Sequence, residues 1–157
     1  MKKIISTGLL LLATVFIGAV NAQEVTDADK LIGIWEPSHG KAKVKVDKIG
    51  EKYYGKIVWL REPIDPETNK PKLDKNNPDE NLQNKPLRGY RILKDFQFTD
   101  KNEWTEGTIY DPENGNTYSC IIKMTDENTL DIRGYIGVSV LGRTDIWKRL
   151  KMPSKKK

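Results

Sequence analysis

The chain has 157 residues, a formal net charge of +5, one histidine and one cysteine. A single histidine rules out a multi-histidine metal centre and argues against a histidine-dependent triad, and a single cysteine rules out an intrachain disulfide. The positive charge is concentrated at the two ends: Lys2 and Lys3 open the chain, and Lys148, Arg149, Lys151, Lys155, Lys156 and Lys157 crowd its last positions. The body between them is net negative, which excludes the basic face that nucleic-acid binding requires.

In chain order, residues 1–22 read as a secretory signal. Two lysines precede an apolar run from Ile4 to Val20, and Val20-Asn21-Ala22 suits cleavage before Gln23. No cysteine follows the cut, so a lipid anchor is not expected. The apolar run is short for a bilayer span and no stop-transfer pattern follows, so no transmembrane segment is expected after cleavage. The expected location is therefore periplasmic or secreted. Residues 23–30 read as a flexible leader, 31–150 as one domain, and 151–157 as a solvated basic tail.

The domain reads almost wholly as strands. Gly33–Glu36 opens the series. Lys41 to Asp47 alternates, with Ala42, Val44 and Val46 on one face. A Gly50 hairpin leads into Tyr53 to Leu60. After a long interruption, strands resume from Gly89 to Phe98 and from Glu103 to Tyr110. Asp111 to Gly115 turns the chain into Thr117 to Thr125, where Tyr118, Cys120, Ile122 and Met124 share a face. Leu130 to Ile136 and Arg143 to Leu150 complete the set, separated by the corner 137–142. About eight short strands with tight turns predict an all-β, small antiparallel up-and-down β-barrel. The same alternation predicts that Cys120 packs in the core.

The interruption, residues 61–86, contains Pro63, Pro66, Pro71, Pro78 and Pro86 and has no apolar periodicity. Loops of this length inside a domain are either functional or disordered. Leu73, Leu82 and Leu87 are candidate anchors to the body. Asp74 and Asn77 are expected to fix a turn, and Leu73, Asp74 and Asn77 together suggest a gate over one barrel end. Asp74 to Asp79 resembles part of a calcium loop, but the sixth and twelfth positions hold Asp79 and Lys85, so no metal site follows.

Five motifs then coincide in order: Gly33-x-Trp35; Tyr54-Gly55-Lys56-Ile57-Val58-Trp59-Leu60; Asp74-x-x-Asn77-Pro78; Gly107-x-Ile109-Tyr110-Asp111-Pro112-x-x-Gly115-x-Thr117-Tyr118; and Arg133-Gly134-Tyr135-x-Gly137 with Leu141-Gly142-Arg143-Thr144 and Trp147. The ordered set, from about Leu31 to Arg149, resembles the bacterial domain-of-unknown-function 2147 family. The resemblance implies an exported, lipocalin- or calycin-like barrel with no established enzyme activity; no cofactor is expected. Asn116 departs from it, because the family often has lysine before Thr-Tyr. In lipocalin-like barrels the tryptophan of Gly-x-Trp closes the floor beneath an arginine. That implies a structural role for Gly33 and Trp35, with Arg143 or Arg149 as the partner. Gly115 is expected to be structural as well, with positive φ in its turn.

A barrel of this size has room for one small ligand. Alternation assigns an apolar lining from Tyr53, Ile57, Trp59, Tyr90, Ile92, Phe96, Ile122 and Ile132. Arg133, Tyr135, Arg143 and Trp147 are the polar and aromatic groups suited to orient a carboxylate or phosphate. In Leu130 to Ile136, Arg133 and Tyr135 fall on the face opposite Ile132, and a one-residue slip would exchange the two sets. The expected function is binding of a fatty acid or other small apolar or amphipathic molecule. Two rivals are a periplasmic interaction module with a filled core and an envelope protein partner, and a hydrolase using Asp74 and Asp111. Interior volume separates the first two. No enzyme is expected, because no nucleophile elbow, phosphate loop or Cys-x-x-Cys pair is present.

Overall fold

In the computed structural model, residues 27–151 are described. The expected signal, the first part of the leader and all of the tail after Lys151 lie outside the described residues. The strands are β1 (Gly33–Glu36), β2 (Ala42–Ile49), β3 (Lys52–Leu60), β4 (Ile64–Asp65), β5 (Lys70–Pro71), β6 (Arg91–Phe98), β7 (Glu103–Asp111), β8 (Asn116–Asp126), β9 (Thr129–Tyr135) and β10 (Arg143–Arg149). β4 and β5 form a separate two-stranded hairpin, and the others close into one antiparallel barrel in the order β1-β10-β9-β8-β7-β6-β3-β2. Apart from the β4–β5 excursion, each barrel strand pairs with its sequence neighbours, and β1 closes the cylinder by pairing with β10 (Trp35 opposite Arg149). This is the expected all-β, lipocalin-like eight-stranded barrel. Full closure leaves none of the eight barrel strands with a free edge.

Alternation places the core. Ala42, Val44 and Val46 of β2, Tyr53 and Ile57 of β3, Cys120, Ile122 and Met124 of β8, and Leu130 and Ile132 of β9 are all buried. Burying each large apolar side chain contributes about 1.5–3 kcal/mol. Irregularities in the ladders shift the pattern. A bulge at Lys43/Val44 turns Trp59 outward, where it is 39% exposed and lies under the Lys43 ammonium at 4.6 Å. Asp95 and Glu106 have positive φ (65° and 60°), and registers shift beside them in β3–β6 and β7–β8. In β3–β6 a further shift, with Gly55 opposite Leu93 but Lys56 opposite Arg91, makes Ile92 the extra residue, and adjacent Ile92 and Leu93 are both buried.

One end of the barrel is sealed. Asp27–Leu31, within and just after the segment expected to be a flexible leader, instead form a 3-10 turn across this end. The turn is held because its carbonyls meet two buried indoles: Trp35 Nε1 donates to Leu31 O (2.9 Å) and Trp104 Nε1 to Ala28 O (3.2 Å). Leu31, Trp35, Tyr53, Phe96 and Trp104 fill the space beneath it. Arg149 lies over the Trp35 ring at 4.1 Å and donates to the carbonyls of Lys30, Ile32 and Glu127. Arg149, not Arg143, is thus the partner of Trp35. Gly33 is required beside them, since a Cβ there would lie 2.6 Å from the Arg149 guanidinium.

Cys120 is 1% exposed among these side chains, and burial pushes its thiol up to about 12. A thiol this buried and this weakly acidic is inert. The native protein is expected to resist alkylation at pH 8 and to react fully once denaturant is added. Stoichiometric labelling of the native state, followed by mass spectrometry, would contradict this burial.

Candidate functional site: an apolar cavity at the open end

The opposite end of the barrel is hollow. A cavity of about 1260 Å³ runs from the middle of the barrel to the mouth between the end loops. It exceeds the roughly 300–1,000 Å³ of small-ligand sites because it continues into that mouth. Its floor is apolar: Val44, Ile57, Ile92, Ile109, Ile132 and Trp147 line it, with Ala42 and Leu60 above them. β10 alternates so that Arg143, Asp145 and Trp147 all face the cavity side. Trp147 is 3% exposed, and its Nε1 donates to Asp145 Oδ2 (2.8 Å). Asp145 Oδ1 also accepts from the Ser38 hydroxyl.

The mouth is charged and mostly self-paired. Lys41 meets Glu113 at 2.7 Å, Lys75 meets Asp65 at 2.5 Å, and Lys72 meets Glu62 at 3.4 Å. The Lys75 ammonium and the backbone N–H groups of Glu67 and Thr68 hold the Asp65 carboxyl below its ordinary range. Arg61 and Arg143 also line the mouth, and among the described residues neither has a carboxylate at ion-pair distance.

The long loop is ordered and forms one wall of this mouth through Arg61, Glu62, Asp65, Lys72, Leu73 and Asn76. Leu73 bridges to Pro86. Between them and the barrel, Asp74 is fully buried: Tyr110 Oη donates to Asp74 Oδ1 and Asn77 Nδ2 to Asp74 Oδ2, both at 2.7 Å. Asn77 Nδ2 also donates to Tyr90 Oη (2.9 Å), and the two tyrosine rings pack with centroids 5.5 Å apart. Burial and the adjacent Asp74 carboxylate push the Tyr110 phenol up, so it remains a proton donor. The loop meets a second clamp at the β7–β8 turn, where Asn76 Nδ2 donates to Pro112 O and Glu113 O. Gly115 (φ 74°) sits against it, and a Cβ there would lie 2.0 Å from Asn76 O. Only glycine fits both the turn and the contact.

Of the residues expected to contact a ligand, Ile57, Tyr135, Arg143 and Trp147 line the cavity, as do Ile92 and Ile132. The others do not. Tyr53, Phe96 and Ile122 are packed toward the sealed end, where the Tyr53 hydroxyl donates to Asp29 (2.7 Å). Trp59 is outside because of the bulge. Tyr90 seats the loop. Arg133 is spent on the β9–β10 corner, donating to Ser139 O, Val140 O and Thr144 Oγ1. Asp74 and Asp111, the pair considered for acid–base chemistry, are both committed to structure. Asp111 accepts from Glu113 N and Asn114 Nδ2 in its own turn. Sequence reasoning missed Val44, Ile109 and Asp145 as lining. Val44 was legible by alternation, whereas Ile109 follows a bulge and Asp145 lies in a strand read for its arginine and tryptophan.

The family model described as "Uncharacterized protein conserved in bacteria (DUF2147)" matches residues 33–149. The chain belongs to the DUF2147 family. Protein HP1028 from Helicobacter pylori, described as belonging to the lipocalin family, is a similar solved structure. It is 26% identical with a TM-score of 0.66, over 77% of this chain and 83% of that one. No curated protein matches the chain. This DUF2147 barrel therefore shares the lipocalin architecture, with one end sealed by an indole–guanidinium stack and the other open to a cavity.

Proposed function

We propose that the protein is exported to the cell envelope and there binds a small amphipathic molecule inside the barrel. The observation that carries the reading is the cavity, about 1260 Å³, with a floor of Val44, Ile57, Ile92, Ile109, Ile132 and Trp147. Such a floor favours an apolar chain, and a few polar groups at one end set its orientation. Arg61 and Arg143 at the mouth supply planar donor forks suited to a carboxylate or phosphate head. The resemblance to a lipocalin-family structure supports the same reading. Export rests on the basic and apolar character of residues 1–22. A barrel filled to both ends would favour the interaction module instead.

Titration with a fluorescent long-chain fatty acid tests the reading. The protein is expected to bind the probe. Ile109→Trp, which fills the cavity, is expected to weaken uptake at least about tenfold, in line with the 1–3 kcal/mol of overpacking. Arg143→Ala is expected to weaken a carboxylate probe more than its methyl ester. Absence of uptake by the wild-type protein, with no retained molecule in native mass spectrometry, would refute ligand binding.

A further inference from the structure

The corner between β9 and β10 carries a surface that ligand binding does not explain. Beyond the last ladder pair, Arg143 opposite Gly134, the chain projects as a tip. Its apolar side chains are turned to solvent: Ile136 is 75% exposed, Val138 58%, Val140 77% and Leu141 78%. We propose that this tip docks on an anionic lipid bilayer and so seats the cavity mouth against the membrane.

Backbone satisfaction is the first argument. A loop that enters acyl chains must satisfy its carbonyls internally. Here Val138 O accepts from Leu141 N (3.2 Å), and Ser139 O from Gly142 N (3.0 Å) and Arg133 Nε (2.7 Å). Val140 O accepts from Arg133 Nη2 (3.0 Å). The three consecutive carbonyls of Val138, Ser139 and Val140 are thus satisfied within the corner, two of them by one guanidinium, while the apolar side chains face out. Shape is the second argument. A flat protein partner would cover one side of a projecting tip, whereas a fluid hydrocarbon covers all of it. Charge is the third. Arg133 and Arg143 flank the tip, and no acid stands between Asp131 and Asp145, which suits anionic headgroups. Finally, Ile136 and Leu141 also line the cavity mouth, so the docked tip is continuous with the apolar interior.

Flotation with vesicles of phosphatidylcholine, with and without phosphatidylglycerol, tests this on protein purified from its own cells. The wild-type protein is expected to float with the phosphatidylglycerol vesicles. Val138→Ser combined with Val140→Ser, neither of which lines the cavity, is expected to lower the partition constant about tenfold or more. Arg143→Glu is expected to remove the preference for the anionic vesicles. The serine substitutions lie on exposed positions, so near-ultraviolet circular dichroism should match the wild type. They should also leave fatty-acid uptake in vesicle-free solution unchanged. Wild-type protein that stays unbound, or a serine variant that floats equally well, overturns the docking. Vesicle binding without probe uptake supports the docking and refutes only the ligand reading.

Discussion

Trp35→Ala is expected to destabilise the protein by about 3–5 kcal/mol, the range for deleting a fully buried aromatic side chain. Trp35 is completely buried, and its ring does three things at once. It fills the sealed end, it donates Nε1 to Leu31 O, and it carries the Arg149 guanidinium at 4.1 Å. Removing it leaves a cavity, an unsatisfied carbonyl and a cation whose apolar support is gone. The stack alone is worth about 0.5–2 kcal/mol. Trp35→Phe keeps most of the volume but neither the donor nor the best π face, so it should fall between. Urea denaturation monitored by far-ultraviolet circular dichroism measures the difference. A midpoint unchanged in Trp35→Ala would show that the 3-10 turn and β1 can reseal the end without the indole.

Asp74→Ala is expected to cost roughly 2–4 kcal/mol, because the buried Tyr110 hydroxyl and the Asn77 amide both lose a charged acceptor. The effect should be local before it is global. The segment around Asp74 is tied to the barrel by this network, by the Leu73–Pro86 bridge and by Asn76 on the β7–β8 turn. Hydrogen exchange is expected to accelerate at the amides of Asp74, Asn77 and Leu87, which donate to Lys85, Asp74 and Lys72 carbonyls. Protection in β8 and β9 should change far less. Asp74→Asn retains shape and one acceptor and should be milder. Gly115→Ala attacks the other clamp by steric means, through the backbone oxygen of Asn76. Unchanged exchange in both Asp74→Ala and Gly115→Ala would mean that the loop is held by its own turns rather than by the barrel.

The strand series and its turns were written locally. Alternation of Ala42, Val44 and Val46 or of Cys120, Ile122 and Met124 has one stable solution, a pleated strand with that face buried. Glycine and Asp-Pro turns mark where each strand ends. That determined an all-β barrel of about eight strands, and the resemblance of Gly33-x-Trp35 to lipocalin-like barrels implied Trp35 in its floor. Bulges are different, because one extra residue reverses every later side chain and depends on the partner strand. The shift opposite Lys43/Val44 sent Trp59 out, and the shift between Gly55 and Lys56, opposite Leu93 and Arg91, brought both Ile92 and Leu93 in. Long-range partners were equally hidden. Nothing local to Arg133 shows that its three donors serve the 139–144 corner, or that Asp74 meets Tyr110 across 36 positions of sequence. Nor does composition show which end of a cylinder is filled. The sealed end exists because Leu31, Tyr53, Phe96 and Trp104, from separate elements, converge there, while the other half is lined mainly by the aliphatic side chains of Val44, Ile57, Ile92, Ile109 and Ile132 around Trp147. Local residue types therefore determined the strands, and only closure of the barrel decided which of their faces would enclose a cavity.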